Sequence, residues 1–283
     1  MVPNLSVLIL TVLCMMVMPT KAALEVIGSG FGRSGTDTMR VALNALGYKT
    51  YHMKEILENG LTAHVETWHE LLKNGCDDEA ALKALYEDLG YTAAVDFPTS
   101  ACWEALMRAY PMAKIVHTQR KSGEDWYASA SDSILSLMHT FPFNIFKRID
   151  PFFIRFAKMC DQMWGRIVKR PIEASLDPGF PHAYKDEIIA AYDANNVRVL
   201  EMVTPKRLLI HDHKKGWASL CHFLGKPVPD IDYPHTNTRA EFHAFKRNIA
   251  MGVAAMLIMA PIVLGLAFKL VFKLFNGQKI KEA

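Results

Sequence analysis

Leu24-Glu25-Val26-Ile27 runs directly into Gly28-Ser29-Gly30-Phe31-Gly32-Arg33-Ser34-Gly35-Thr36, and the fold turns on how this stretch is read. Residues 24–27 are a short apolar strand. Residues 37–46 place apolar side chains at Met39, Val41, Ala42 and Leu46, which predicts a helix, and Gly47 supplies its C-terminal stop. A strand, a glycine-rich turn and a helix make an anion cradle. Glycines let backbone N–H groups converge, and a helix N-terminus favours negative charge.

Outward from this unit, strands are predicted at 49–52, 92–95, 114–118 and 207–211. Helical patterns fill 54–59, 65–73, 78–89, 101–109, 124–138 and 217–224, with long helical segments reaching to about Asn196. Several strands end in a polar cluster: His52, then Asp96-Phe97-Pro98, then Gln119-Arg120. Strands alternating with helices predict an α/β fold on a parallel sheet, with ligands at the strand C-terminal ends.

The loop itself admits three readings. Gly30-Phe-Gly32-Arg-Ser-Gly35 matches the dinucleotide pattern G-x-G-x-x-G, but the second strand ends in Tyr51-His52 rather than in the acidic residue that pattern requires. Gly30 and Gly35 also have the spacing of a nucleoside-triphosphate loop, yet Thr36 stands where its Lys belongs. The third reading puts the cation earlier, in Arg33-Ser34-Gly35-Thr36.

This third pattern resembles the phosphosulfate loop of the sulfotransferases that use 3′-phosphoadenylylsulfate, whose Lys or Arg precedes Ser-Gly-Thr. The resemblance continues. Ala113-Lys-Ile-Val-His-Thr-Gln-Arg120 is similar to the family strand that ends in an Arg for the cofactor 3′-phosphate. Trp126-Tyr127-Ala128-Ser129 is similar to the helix whose Ser touches the same phosphate, with one extra residue accommodated at 121–123. Arg207-Leu-Leu-Ile-His, Gly216-Trp217 and Leu220-Cys-His-Phe-Leu-Gly225 resemble the late strand and helix. The resemblance spans most of residues 24–240; residues 139–200 carry none of it. It implies a P-loop NTPase-like three-layer fold around a central parallel sheet. It also implies 3′-phosphoadenylylsulfate as cofactor, held by Gly32, Arg33, Ser34, Gly35, Thr36, Asp37, Arg120 and Ser129, with no metal. Sulfuryl transfer needs cationic and N–H donors at the leaving phosphate, which Arg33 would supply, and a base for the acceptor.

The family often places its base, a His, just before a hydrophobic residue and Pro. Here that place reads Asp96-Phe97-Pro98, so Asp96 is the first candidate base and His52 the second. Two rival readings stay open: an NAD(P)-binding oxidoreductase, and a catalytically degenerate nucleotide-binding protein of the membrane. Phe141, Phe143, Phe146, Phe152 and Phe153 are expected in the core or on a membrane-facing patch rather than in an acceptor pocket.

The ends account for much of the composition. The chain has 283 residues, 51% hydrophobic, with a formal net charge of +3. Ile249 to Phe268 is an uncharged run of 20 residues, 17 of them apolar, long enough for a transmembrane helix. Lys269, Lys273, Lys279 and Lys281 follow it against Glu282. With these and Lys21 set aside, 27 basic and 28 acidic residues remain, which excludes a globally basic nucleic-acid binder. Residues 1–22 read as a signal peptide. The expected organisation is a domain over 23–240, a juxtamembrane linker over 241–248 within an irregular arm over 230–248, the transmembrane helix over 249–268 and a basic cytosolic tail over 269–283. Lys279-Ile280-Lys281-Glu282-Ala283 resembles an endoplasmic-reticulum retrieval signal. An enzyme of the endoplasmic reticulum or Golgi membrane is expected, its domain luminal, acting on a small-molecule, lipid or glycan acceptor through a hydroxyl or amine. Cys76, Cys102, Cys160 and Cys221 lack C-x-x-C spacing; an even four would allow disulfides in a lumen, but Cys102 and Cys221 sit in apolar helical surroundings and buried free thiols are expected.

Overall fold

The computed structural model describes residues 22–236 and 239–279. The expected signal peptide, save Ala22, and the last four residues of the retrieval-like motif lie outside them.

Five strands form one parallel sheet: β1 Val26–Gly28, β2 Thr50–Tyr51, β3 Ala93–Ala94, β4 Lys114–His117 and β5 Leu208–Ile210. They run in the order β2-β3-β1-β4-β5. Val26 lies between Ala93 and Lys114, and Ile27 between Ala94 and Ile115. Dinucleotide-binding sheets run 3-2-1-4-5, with β1 beside β2. Here β3 separates those two strands, which speaks against the oxidoreductase reading.

The described helices, in chain order, are α1 Thr36–Ala45, α2 Met53–Glu58, α3 Thr62–Lys73, α4 Glu79–Glu87, α5 Trp103–Ala109, α6 Gly123–Ser131, α7 Phe143–Ile149, α8 Pro151–Ile167, α9 Lys185–Met202, α10 Trp217–Leu224 and α11 Arg239–Lys279. Alternate strand residues face opposite ways and build two cores. Val26, Ala93, Val95 and Val116 pack with Met39 and Leu43 of α1 and Leu220 and Leu224 of α10. Ile27, Tyr51, Ala94 and Ile115 face the larger core, with Trp68 of α3, Leu106 of α5, Trp126 of α6 and Ile188 of α9. Each fully buried apolar side chain contributes about 1.5–3 kcal/mol. The two cores make three layers.

Three expectations need correction. The helix expected over 124–138 stops at Ser131, because Ser131, Asp132 and Ser133 favour turns over helix and the Ser133 hydroxyl bonds back to the Ser129 carbonyl. Cys76 and Cys102 are not free thiols but form a disulfide, 26 residues apart. Only tertiary packing brings the turn after α3 to the start of α5, so no local spacing announces the bond. Cys221 is buried and free, as expected. The irregular arm expected through 248 is shorter, since α11 already begins at Arg239.

That early start has physical causes. Phe242 and Ile249 pack against the larger core. His243 Nε2 meets Asp132 Oδ2 at 2.8 Å, and Lys246 Nζ donates to the Asp132 carbonyl at 3.1 Å. Beyond Ile249 the helix leaves the domain, and Leu257, Ile258, Leu264 and Phe268 are 63–72% exposed. Residues 240–269 are long and apolar enough to cross a membrane, and so large an uncovered apolar surface suggests membrane association. Of the phenylalanine set, Phe143 is buried and Phe146, Phe152 and Phe153 pack against the core, while Phe141 is 39% exposed.

Candidate functional site

The glycine loop joins the C-terminal end of β1 to α1, and its path is fixed from behind. Ser34 Oγ donates to the Phe31 carbonyl at 2.6 Å, Trp126 Nε1 to the Gly32 carbonyl at 2.8 Å, and Arg120 Nε to the Arg33 carbonyl at 2.8 Å. Three successive carbonyls are thus held by side chains, which sets the peptide planes between them. A Cβ at Gly30 would stand 2.4 Å from the carbonyl and hydroxyl oxygens of Thr118. Gly35 has φ +95, and a Cβ there would meet the His213 ring at 2.2 Å. No side chain caps α1 at Gly35. The first N–H groups of a helix have no intrahelical partner, so this end presents donors and a positive dipole to an anion. A phosphate fits this cradle.

Arg33, Thr36, Asp37, His52 and Asp96 converge on one cavity of about 470 Å³. They come from the ends of β1, β2 and β3, neighbours in the sheet. Arg33 is 7% exposed, with its guanidinium 5.3 Å from the Phe242 ring centroid. Thr36 Oγ1 donates to Asp96 Oδ1 at 2.9 Å, and His52 Nε2 lies 3.3 Å from Asp96 Oδ2. Asp96 itself adopts φ +70, a region few non-glycine residues enter.

His52 caps α2: its Nδ1 accepts the Lys54 N–H at 3.1 Å. A neutral ring in this role carries its proton on Nε2, facing Asp96. Burial holds the His52 pKa below its usual value, although the charges of Asp96 and Asp37 oppose the shift. Burial likewise works against ionising Asp37, but the hydrogen bond from Lys54 and the charges of His52, Lys54 and Arg40 outweigh it and hold its carboxyl low. Lys54 Nζ reaches Asp37 Oδ2 at 2.8 Å, and Arg40 Nε reaches Oδ1 at 3.0 Å.

Arg120 and Ser129 stand on another side of the loop and do not line the cavity. They meet nonetheless: Arg120 Nη2 donates to Ser129 Oγ at 3.0 Å. The extra residue at 121–123 is absorbed in the turn, where Ser122 caps α6 by accepting the Asp125 N–H at 3.1 Å. The side chain of Ser34 serves the loop, as noted, and its N–H also turns inward, to the Phe31 carbonyl at 3.2 Å.

Sequence reasoning missed Lys54 and Arg40 and gave His213 no role in the site. Lys54 and Arg40 carried one signal, a basic residue within one helical turn of a singled-out acid or His. His213 Nδ1 and His211 Nε2 both contact the Tyr233 hydroxyl, at 3.0 and 2.9 Å, a union of β5 and the segment before α11 that no local pattern shows.

Two other buried histidines make stability depend on pH. Burial pulls His117 and His211 down to about 4. With folded pKa values below the unfolded one of about 6.5, the unfolded chain binds more protons as pH falls, so folding weakens below that point. Each should cost about 2 kcal/mol between pH 7 and 5. Urea unfolding at both pH values checks this, and equal or greater stability at pH 5 would refute it.

A sequence model described as the sulfotransferase domain matches residues 25–242. The chain is also similar to a protein of Aspergillus versicolor named Ava biosynthesis cluster protein M. The two are 27% identical over 222 residues, covering 76% of this chain and 81% of that protein.

Proposed function

We propose, from the premise that this chain belongs to the sulfotransferase family, that it moves a sulfuryl group from 3′-phosphoadenylylsulfate to a hydroxyl or amine acceptor. The observation that carries the reading is the convergence of Arg33, Thr36, His52 and Asp96 on one cavity, beside the uncapped N-terminus of α1. When bound, 3′-phosphoadenylylsulfate supplies the sulfuryl group: its S–O bond to the 5′-phosphate breaks as a new S–O bond to a hydroxyl, or S–N bond to an amine, forms, and the electron pair leaves with the bisphosphate.

The chain's own residues do the rest. The turn of Gly32–Thr36 wraps the 5′-phosphate, and the N–H groups at Thr36 and Asp37 donate to it. Arg33 offsets the charge that builds there. Arg120, steadied by Ser129, takes the 3′-phosphate. Asp96 accepts the acceptor's proton, held between the Thr36 hydroxyl and the His52 ring. His52 orients Asp96 rather than acting as the base, because its Nδ1 is committed to Lys54. Asp37 contributes through its backbone, since Lys54 and Arg40 engage its carboxylate.

The enzyme would be anchored in the endoplasmic-reticulum or Golgi membrane by α11 with its domain in the lumen. The Cys76–Cys102 disulfide supports an oxidising compartment. The test is thermal shift with 3′,5′-adenosine bisphosphate against NAD(P). The bisphosphate should stabilise the protein, and Arg120→Ala should weaken its affinity by about 10–100-fold, the worth of a charge-assisted hydrogen bond. Stabilisation by NAD(P) alone would overturn the reading.

A further inference from the structure

Resting on that reading, we propose that the acceptor is a membrane-partitioned lipid alcohol, its hydroxyl beside Asp96 and its apolar body filling the rest of the cavity. The polarity of the cavity is divided. Arg33, Thr36, His52 and Asp96 gather where the strands end, and Asp37, Arg40, Lys54, Glu58, Thr236 and Glu241 add further charged and polar groups to the lining. Past Phe97 the walls are Phe156, Met163, Trp164 and Phe180, all buried.

One polar residue, Ser175, lines that far part, and it is spoken for. Its N–H and its hydroxyl both bond to Asp161, at 2.6 and 2.8 Å, and its carbonyl accepts from Lys147. A glycan there would bury hydroxyls with nothing to bond, a loss that hydrocarbon does not incur. A volume of about 470 Å³ lies within the range of small-molecule pockets.

A second observation points to the membrane as the source. Phe242 and Phe245 of α11 form part of the cavity wall. The uncharged run of the same helix starts at Ile249, four residues after Phe245. Four residues rise about 6 Å, so the cavity stands roughly one helical turn from the hydrocarbon. Phe245 is 47% exposed, touching the cavity on one side and open on the other. An alcohol dissolved in the bilayer reaches the cavity without crossing water.

The test uses the full-length chain in phosphatidylcholine vesicles with labelled 3′-phosphoadenylylsulfate. Acceptors are primary alcohols from butanol to hexadecanol, with cholesterol alongside. Transfer per mole of acceptor should rise at least 100-fold from the short to the long end. Phe245→Glu sets a charge on the exposed edge of the wall. It should cut transfer to hexadecanol at least tenfold while leaving the thermal shift with adenosine bisphosphate unchanged. Butanol or a free sugar used as well as hexadecanol, with the bisphosphate shift intact, overturns the lipid proposal and leaves the sulfotransferase reading standing. No bisphosphate shift and no transfer to any acceptor overturns both.

Discussion

Asp96→Asn is expected to lower the rate of sulfuryl transfer by about 10²–10⁴-fold, the usual contribution of a positioned base. The substitution isolates the proton-accepting role. Asparagine has the same shape, and its carbonyl oxygen can still accept from Thr36 Oγ1, which now donates to Asp96 at 2.9 Å. The fold and the phosphate cradle should therefore survive, and binding of 3′,5′-adenosine bisphosphate should stay within about threefold of wild type, under 1 kcal/mol. If Asp96 only braced Thr36 and His52, the amide would keep the Thr36 bond and lose only the His52 contact, where its NH2 would face the Nε2 proton, and the rate would fall by no more than about tenfold. Single-turnover transfer from labelled donor separates the two outcomes. A fall of no more than about tenfold removes Asp96 as the base. A matching loss of bisphosphate affinity would instead make it part of the cradle.

Gly35→Ala should destabilise the protein by about 2–4 kcal/mol, from two sources that can be told apart. An L-residue at φ +95 is strained by about 1–2 kcal/mol. The new methyl would also lie 2.2 Å from His213 Nε2 and 2.5 Å from its Cδ2. The imidazole cannot withdraw without giving up the contact of its Nδ1 with the Tyr233 hydroxyl. Adding His213→Ala removes the clash but not the strain. Thus His213→Ala should destabilise the wild type yet partly rescue Gly35→Ala, a coupling of about 1–2 kcal/mol in a double-mutant cycle. Denaturant unfolding of the four proteins measures it. Additive losses would mean that His213 moves aside at no cost.

How far the sequence reaches depends on the range of the forces involved. The glycine loop was legible because strand, turn and helix are contiguous, and φ +95 at Gly35 or +89 at Gly47 asks for glycine on local grounds. Four of the five strands fall within their expected ranges and β1 overruns its own only by Gly28, since alternation along a buried strand is also local. Asp96 and His52 could be named separately as strand-end residues. That they meet at 3.3 Å depends on β2 pairing with β3, a register no single segment encodes. The same holds for Arg120 and Ser129, nine positions apart but joined across a turn. The disulfide and the cavity lay beyond reach for a further reason. Each is made by residues distant in the chain, and the cavity wall draws on Phe97, Trp164, Phe180 and Phe242, which belong to four different segments. The early start of α11 was missed because Phe242 and His243 are ordinary residues until Arg33 and Asp132 are set opposite them.

That continuous helix also bears on orientation. With α11 crossing the bilayer, as proposed, no loop separates its docked turns from its apolar length, so the domain cannot swivel like a weight on a string. It is held at one height and one azimuth, and each residue inserted between Phe245 and Ile249 would lift it by about 1.5 Å and turn it by about 100°. The helix would thus act as a spindle whose length aims the cavity mouth, and two added residues would point that mouth nearly backwards while leaving every contact inside the domain intact.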